Sequence, residues 1–158
     1  MNNLIGKLKI LFILLILITG CKSEQSTGSL DLMKYGMPIK IKAPADAEIK
    51  SDDLGFMKDV TVKASESYSL QITSSEAILT DASVIASKLL KEVKRDAFFD
   101  SVVTEDSNGF VYKKNIDGQV DYDFRHVRVA GSSEYIFQTA LIGTFSLDDV
   151  NQMYESVK

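Results

Sequence analysis

Three early segments alternate apolar and polar residues with a period of two. Ile39 and Ile41 alternate with Lys40 and Lys42. Val60, Val62 and Ala64 alternate with Asp59, Thr61 and Lys63. Tyr68, Leu70 and Ile72 alternate with Ser69, Gln71 and Thr73. This period predicts strands with one buried face. Pro38 and Pro44 bracket the first segment, which makes it an edge or first strand, where a missing N–H is tolerated. The connection "SES" between the other two is short enough for a hairpin. From Thr80 the period changes. Ala82, Ile85, Ala86, Leu89, Val93 and Ala97, with Leu90 beside them, form one helical stripe. Thr80 is the predicted N-cap, Asp81 places negative charge at the positive end of the dipole, and Lys88, Lys91, Lys94 and Arg95 occupy the other half. The helix is expected to end near Phe98.

Three turn signals follow. Asn108-Gly109 separates "SVVTED" from "FVYKK", Asp117-Gly118 separates that strand from "QVDYDF", and Gly131-Ser132 separates "HVRVA" from "EYIFQTALI". Asn-Gly and Asp-Gly supply the positive φ angles of a type I′ hairpin turn. Four strands joined this way make an antiparallel meander. Ser146 then caps a second helix with Leu147, Val150, Tyr154 and Val157 on one face, and Asp149 three residues on is close to a capping box. The order is strands, helix, meander, helix. It predicts an α+β domain, one mostly antiparallel sheet packed with two helices. Because most strands are apolar on one side only, Lys40, Lys42, Thr61, Lys63, Ser69, Gln71, Thr73, Asp121 and Asp123 are expected to form one open polar face. Lys63, Asp121 and Asp123 are the candidate binding surface on it.

The N-terminus carries a different pattern. Ile10 to Ile18 are nine uninterrupted apolar residues, preceded by Lys7 and Lys9. A transmembrane helix needs about 20 such residues, so the run fits a secretory signal instead. Its end, Ile18-Thr19-Gly20-Cys21, resembles the bacterial lipobox. That resemblance implies a diacylglyceryl group on the Cys21 thiol, cleavage before Cys21, and acylation of the new amino terminus. Two acyl chains already suffice for stable anchoring. The resemblance places the protein in the bacterial cell envelope, and Lys22, where the inner-membrane retention signal has aspartate, favours the outer membrane. The expected organisation is a signal over 1–20, a lipidated cysteine and flexible tether over 21–36, and one domain over 37–158. "KSEQSTGS" would span on the order of 15 Å as a random coil.

Composition narrows the function. Cleavage removes Lys7 and Lys9 from the 18 lysines and arginines but none of the 22 acids, leaving a formal charge of −6. Nucleic acid is therefore not an expected partner, since phosphate binding needs a basic patch. With Cys21 acylated no other cysteine exists, which excludes thiolate metal sites, redox motifs and cysteine nucleophiles. The element order, with the opening "MPIKIKAPADAEIK", is similar to the PsbP-like fold over about residues 37–158. That resemblance implies partner binding without catalysis. It also implies helices on both sheet faces, against the one-sided alternation above.

Candidate chemistry centres on His126, the only histidine, within "DYDFRHVRV". A metal site or acid–base pair with Asp121 and Asp123 is one reading. Odd spacing puts the histidine on the other face of a strand unless a bulge intervenes. A bulge near Arg125–His126 would also explain why the apolar phase switches from Val120, Tyr122 and Phe124 to Val127 and Val129. No serine stands in G-x-S-x-G, and "DSNGF" lacks the spacing of a calcium loop. "KLLKEVKR" reads as a solvated helix face. Tyr112, Tyr122, Phe124, Tyr135 and Phe137 occur at strand spacing and read as core, or else as the lining of a ligand cavity between sheet and helix. The expectation is a noncatalytic binding or assembly module without cofactor or metal, held to the membrane by lipid on Cys21 and acting on an envelope protein. The alternative is a small-ligand carrier.

Overall fold

The computed structural model describes residues 27–158. The signal, the lipobox and Cys21 lie outside the described residues. The chain is α+β. A seven-stranded antiparallel sheet has the order β3-β4-β5-β9-β8-β7-β6, and a separate two-stranded sheet pairs β1 with β2. The strands are β1 (Thr27–Asp31), β2 (Lys40–Pro44), β3 (Glu48–Asp53), β4 (Met57–Lys63), β5 (Ser69–Glu76), β6 (Phe99–Glu105), β7 (Gly109–Ile116), β8 (Gln119–Ala130) and β9 (Ser133–Thr139). Among the described residues the α-helices are α1 (Ala82–Val93) and α2 (Leu147–Ser156).

The expected meander is β6 to β9. Its Asp117-Gly118 turn has φ of 53° and 87°, the two positive values a type I′ turn requires. Asn108-Gly109 does not form that turn, because neither residue has positive φ. Asp106 turns the chain instead, accepting the Asn108 N–H at 3.0 Å. Gly109 is already strand, and a Cβ there would collide with the Arg125 carbonyl and meet the Tyr154 hydroxyl at 2.8 Å. β9 then pairs with β5, joining the meander to the first hairpin.

Three expectations change. The sequence places residues 27–36 in the tether, yet β1 pairs with β2 along its length, and Leu32 and Met37 are fully buried. The folded unit therefore includes Thr27, and β1 was hidden because "TGSLD" has too few apolar positions to show a period. α1 is capped by Asp81 rather than Thr80, since the Asp81 carboxylate accepts the Ser83 N–H at 2.9 Å. It ends at Val93, where the chain tightens into three-residue bonds and Asp96 accepts the Phe98 N–H at 2.8 Å. The third change concerns layering. α2 and the β1–β2 sheet cover one face of the large sheet, packing Val150, Met153, Tyr154, Leu32 and Ile41 against Val60, Leu70, Phe124 and Phe137. α1 covers the opposite face over β7 and β8, where Ile85, Ala86 and Leu90 meet Val127, Phe110 and Tyr112.

The open polar face is thus smaller than expected. It survives over β4, β5 and β9 as a half-exposed ladder, in which Gln71 donates to Asp59 at 2.7 Å and Gln138 donates to Gln71 at 2.8 Å. Lys63 is exposed at its margin. Asp121 and Asp123, on β8, are buried with 4% and 6% exposure. Two strands, β5 and β9, separate them from Lys63 on β4. The three residues do not make one surface.

Candidate functional site

Asp121 and Asp123 alternate on β8 and point to the α1 side, so both meet the residues of β7 that point the same way. The tight turn at Asp117-Gly118 sets Lys114 opposite Asp121 and Tyr112 opposite Asp123. The Lys114 ammonium lies 2.8 Å from Asp121 and 3.7 Å from Asp123. Arg125, two residues along the same face, reaches Asp123 at 2.9 Å. The Tyr112 hydroxyl donates to the same Asp123 oxygen at 2.8 Å, and the guanidinium of Arg125 lies 5.6 Å from the Tyr112 ring centroid. Burial by itself would raise the Asp123 carboxyl, but Arg125 and Lys114 hold it below the usual carboxylate range.

The other oxygens hold backbone. β9 stops pairing with β8 after Phe137↔His126, so the lower edge of β8 needs other partners. Asp123 Oδ1 accepts the Thr139 hydroxyl at 2.6 Å, the Thr139 N–H at 3.2 Å and the Phe124 N–H at 2.7 Å. Asp121 Oδ1 accepts the Phe145 N–H at 2.7 Å, and the Phe145 carbonyl accepts the Tyr122 N–H at 3.1 Å. The two carboxylates therefore clamp both ends of the β9–α2 loop, residues 140–144. Their chemistry is consumed in positioning chain, with cations neutralising them from β7 and β8.

His126 lies on the opposite face. The β7–β8 pairing is regular from Gly109↔His126 to Ile116↔Gln119, so no bulge turns it toward the aspartates. The apolar phase switches because both faces are covered: Tyr122 and Phe124 pack on the α2 side, Val127 and Val129 on the α1 side. The His126 ring sits 5.8 Å from Tyr154 and 5.9 Å from Phe137. Its Nδ1 is buried without a hydrogen-bond partner. Burial, with the Arg128 guanidinium second, pulls its pKa from 6.5 down to about 4. Asp106, which accepts the Tyr154 hydroxyl at 2.7 Å, opposes that shift, and Lys158, 3.2 Å from Asp106, adds to it.

A pH dependence follows. The unfolded chain takes up the histidine proton at 6.5 and the folded chain only near 4, so the unfolded state binds more protons in between. Stability should be full above this window and fall by about 3 kcal/mol as pH drops through it. Urea unfolding across that range should show the loss in the natural chain, and His126→Phe should remove it. Equal pH profiles in the two proteins would refute the assignment.

Of the five aromatics, Phe124, Tyr135 and Phe137 are fully packed in the core, Tyr112 is in the carboxylate cluster, and Tyr122 is half-buried against the core. None lines the cleft of about 220 Å³ bordered by Thr27, Lys42, Tyr68, Gln152, Glu155 and Ser156. Among the described residues, no three His, Cys, Asp or Glu side chains are placed to hold a metal ion, and no helix is long and apolar enough to cross a membrane. Sequence reasoning missed Lys114, Arg125 and Thr139, although the Asp117-Gly118 turn already fixed the register that pairs Lys114 with Asp121. Comparison with family models, curated proteins and solved structures gives no match for this chain.

Proposed function

We propose that this is a lipid-anchored protein of the bacterial cell envelope whose domain works by binding a partner there rather than by catalysis. The observation that carries the reading is Ile18-Thr19-Gly20-Cys21, followed six residues later by the first strand of a folded domain. An acylated Cys21 would hold that domain close to the bilayer. The noncatalytic half is supported by the buried charged groups. Asp121 and Asp123 are engaged with backbone and cations, and His126 faces an aromatic core on the other side of the sheet. Helices on both sheet faces are what the PsbP-like resemblance implies, and they support that kinship. The carrier alternative has one observation in its favour, the cleft beside Tyr68. At about 220 Å³ it falls below the roughly 300–1,000 Å³ of ordinary ligand pockets.

Cys21→Ser should release the domain from the membrane fraction. Globomycin, which blocks the lipoprotein-specific peptidase, should leave a heavier precursor of the natural chain. A Cys21→Ser protein that stays membrane-bound after signal cleavage would overturn the anchor. Cross-linking of the natural protein in envelopes should trap a protein partner through the ladder face of Asp59, Gln71 and Gln138. A small molecule recovered with the purified protein, and no trapped partner, would favour the carrier.

A further inference from the structure

We propose that the β9–α2 loop, residues 140–144, rests in the surface of the membrane to which the chain is anchored; this builds on the lipid-anchor reading of Cys21. Leu141 and Ile142 are 85% and 91% exposed. Single exposed aliphatic residues are ordinary. Here two adjacent ones share an end of the sheet with the exposed side chains of Phe98, Ile116 and Val120. An exposed apolar pair at the tip of a loop is a contact point for protein or lipid. From Thr139 to Ser146 no residue is charged, so the loop meets no charge-desolvation cost on entering a bilayer interface.

The loop is built to face outward. Asp123 holds Thr139 and Asp121 holds Phe145, so both ends are fixed by buried carboxylates. Phe145 goes into the core with 2% exposure. Gly143, at φ 145°, makes the bend, and a Cβ there would meet the Phe145 ring at 2.6 Å. Within five residues the chain buries one aromatic side chain and turns two aliphatic ones away from every other element.

Chain length selects lipid over protein as the occupant. The Ala140 N–H donates to the Ser69 carbonyl at 2.8 Å, which puts the loop beside the start of β5. Tyr68, the residue before Ser69, lines the same cleft as Thr27. The first described residue and the loop therefore lie at one end of the domain. β1 runs from there toward the other end, where Lys58 reaches the Gly36 carbonyl at 3.5 Å. Six residue steps separate Cys21 from Thr27, and at most about 3.6 Å per step they span about 20 Å. An acylated Cys21 lies in the bilayer surface. The end carrying Thr27 and the 140–144 loop is thus kept within about 20 Å of the bilayer surface, nearer to it than the end carrying Phe56 at any extension of the tether that leaves the domain upright.

The test uses the full lipidated chain. The acylated Cys21 sulfur is a thioether, so a thiol introduced by Ile142→Cys is the only free one to label with an environment-sensitive dye. Phe56→Cys, exposed at the far end, gives the reference position. Each protein is reconstituted in vesicles of phosphatidylethanolamine and phosphatidylglycerol, and mass measurement of the N-terminal peptide establishes acylation. The dye at 142 should shift to shorter wavelength relative to detergent, lose emission to spin-labelled lipid and resist aqueous iodide. The dye at 56 should do none of these. Acylated protein with iodide-accessible dye at 142 overturns the proposal and leaves the anchor standing. Protection from iodide without quenching by lipid means that protein covers the loop, and also overturns it. An unmodified Cys21 overturns the anchor and, with it, the membrane position of the loop.

Discussion

Asp123→Ala should destabilise the domain by about 3–5 kcal/mol, the cost of removing one partner from a buried ion pair. Three effects combine. Arg125 and Lys114 lose the carboxylate that neutralises them. The buried Tyr112 hydroxyl loses its acceptor. The N–H groups of Thr139 and Phe124 lose theirs, at about 1–3 kcal/mol for each donor left unsatisfied in the interior. Asp123→Asn separates the parts, because its amide oxygen can still accept from Thr139 while the charge is gone. It should cost less than the alanine variant and lower the stability in a salt-insensitive way, since the pair is shielded from solvent. Urea unfolding measures both. A loss under about 1 kcal/mol for Asp123→Ala would show that the cluster does not organise the β8–β9 corner. A solvated strand residue should shift stability by only about ±0.5 kcal/mol, so the measurement separates the buried position observed from the open face that alternation implied.

That difference shows where sequence reasoning reaches its limit. Alternation reports which side of a strand is apolar, and it located the core positions Val60, Val62, Leu70 and Ile72 correctly. It treats polar residues as exposed. Asp121 and Asp123 are polar and buried because Lys114 and Arg125 neutralise them and backbone N–H groups satisfy them, and Lys114, Thr139 and Phe145 come from other strands and loops. Part of the cluster was nevertheless legible. A two-residue turn at Asp117-Gly118 pairs Ile116 with Gln119, and counting outward pairs Lys114 with Asp121 and Tyr112 with Asp123. Thr139 was not legible, since its contact depends on where β9 leaves β8.

Helix signals fared similarly. Ser146 and Asp149 form the complete capping box, with the Ser146 N–H bound to Asp149 at 2.9 Å, because both partners lie within one turn. The α1 stripe was readable at Ile85, Ala86, Leu89 and Leu90, but the face it would cover was not. The phase switch in "DYDFRHVRV" carried that information. A bulge and a strand buried on both faces produce the same pattern, and only the packed α1 distinguishes them. β3 was missed because "EIKSDD" is an exposed edge strand whose charges keep other strands from pairing.

Removing residues 146–158 should abolish cooperative folding. Val150, Met153, Tyr154 and Val157 are each at most 2% exposed. Burying four such side chains contributes about 6–12 kcal/mol at 1.5–3 kcal/mol each, which matches the roughly 5–15 kcal/mol of a whole domain. Their loss uncovers Phe124, Phe137 and Ile41 beneath, and frees Arg128, which donates to the Val157 carbonyl and to the Lys40 carbonyl at 3.0 Å. The shortened chain should bind hydrophobic dye and unfold without a sharp transition. A point variant keeps the test interpretable. Tyr154→Phe retains the ring that packs edge-on against Phe124 at 5.5 Å and against His126. It removes only the hydroxyl bound to Asp106, at a cost of about 1.5–3 kcal/mol for a hydrogen bond to a charged group. That variant should fold, with a lower urea midpoint and an unchanged slope. A truncated chain that melts as the full domain does would mean that α2 is not docked on the sheet, and the placement of Tyr154 beneath Gly109 would fail with it.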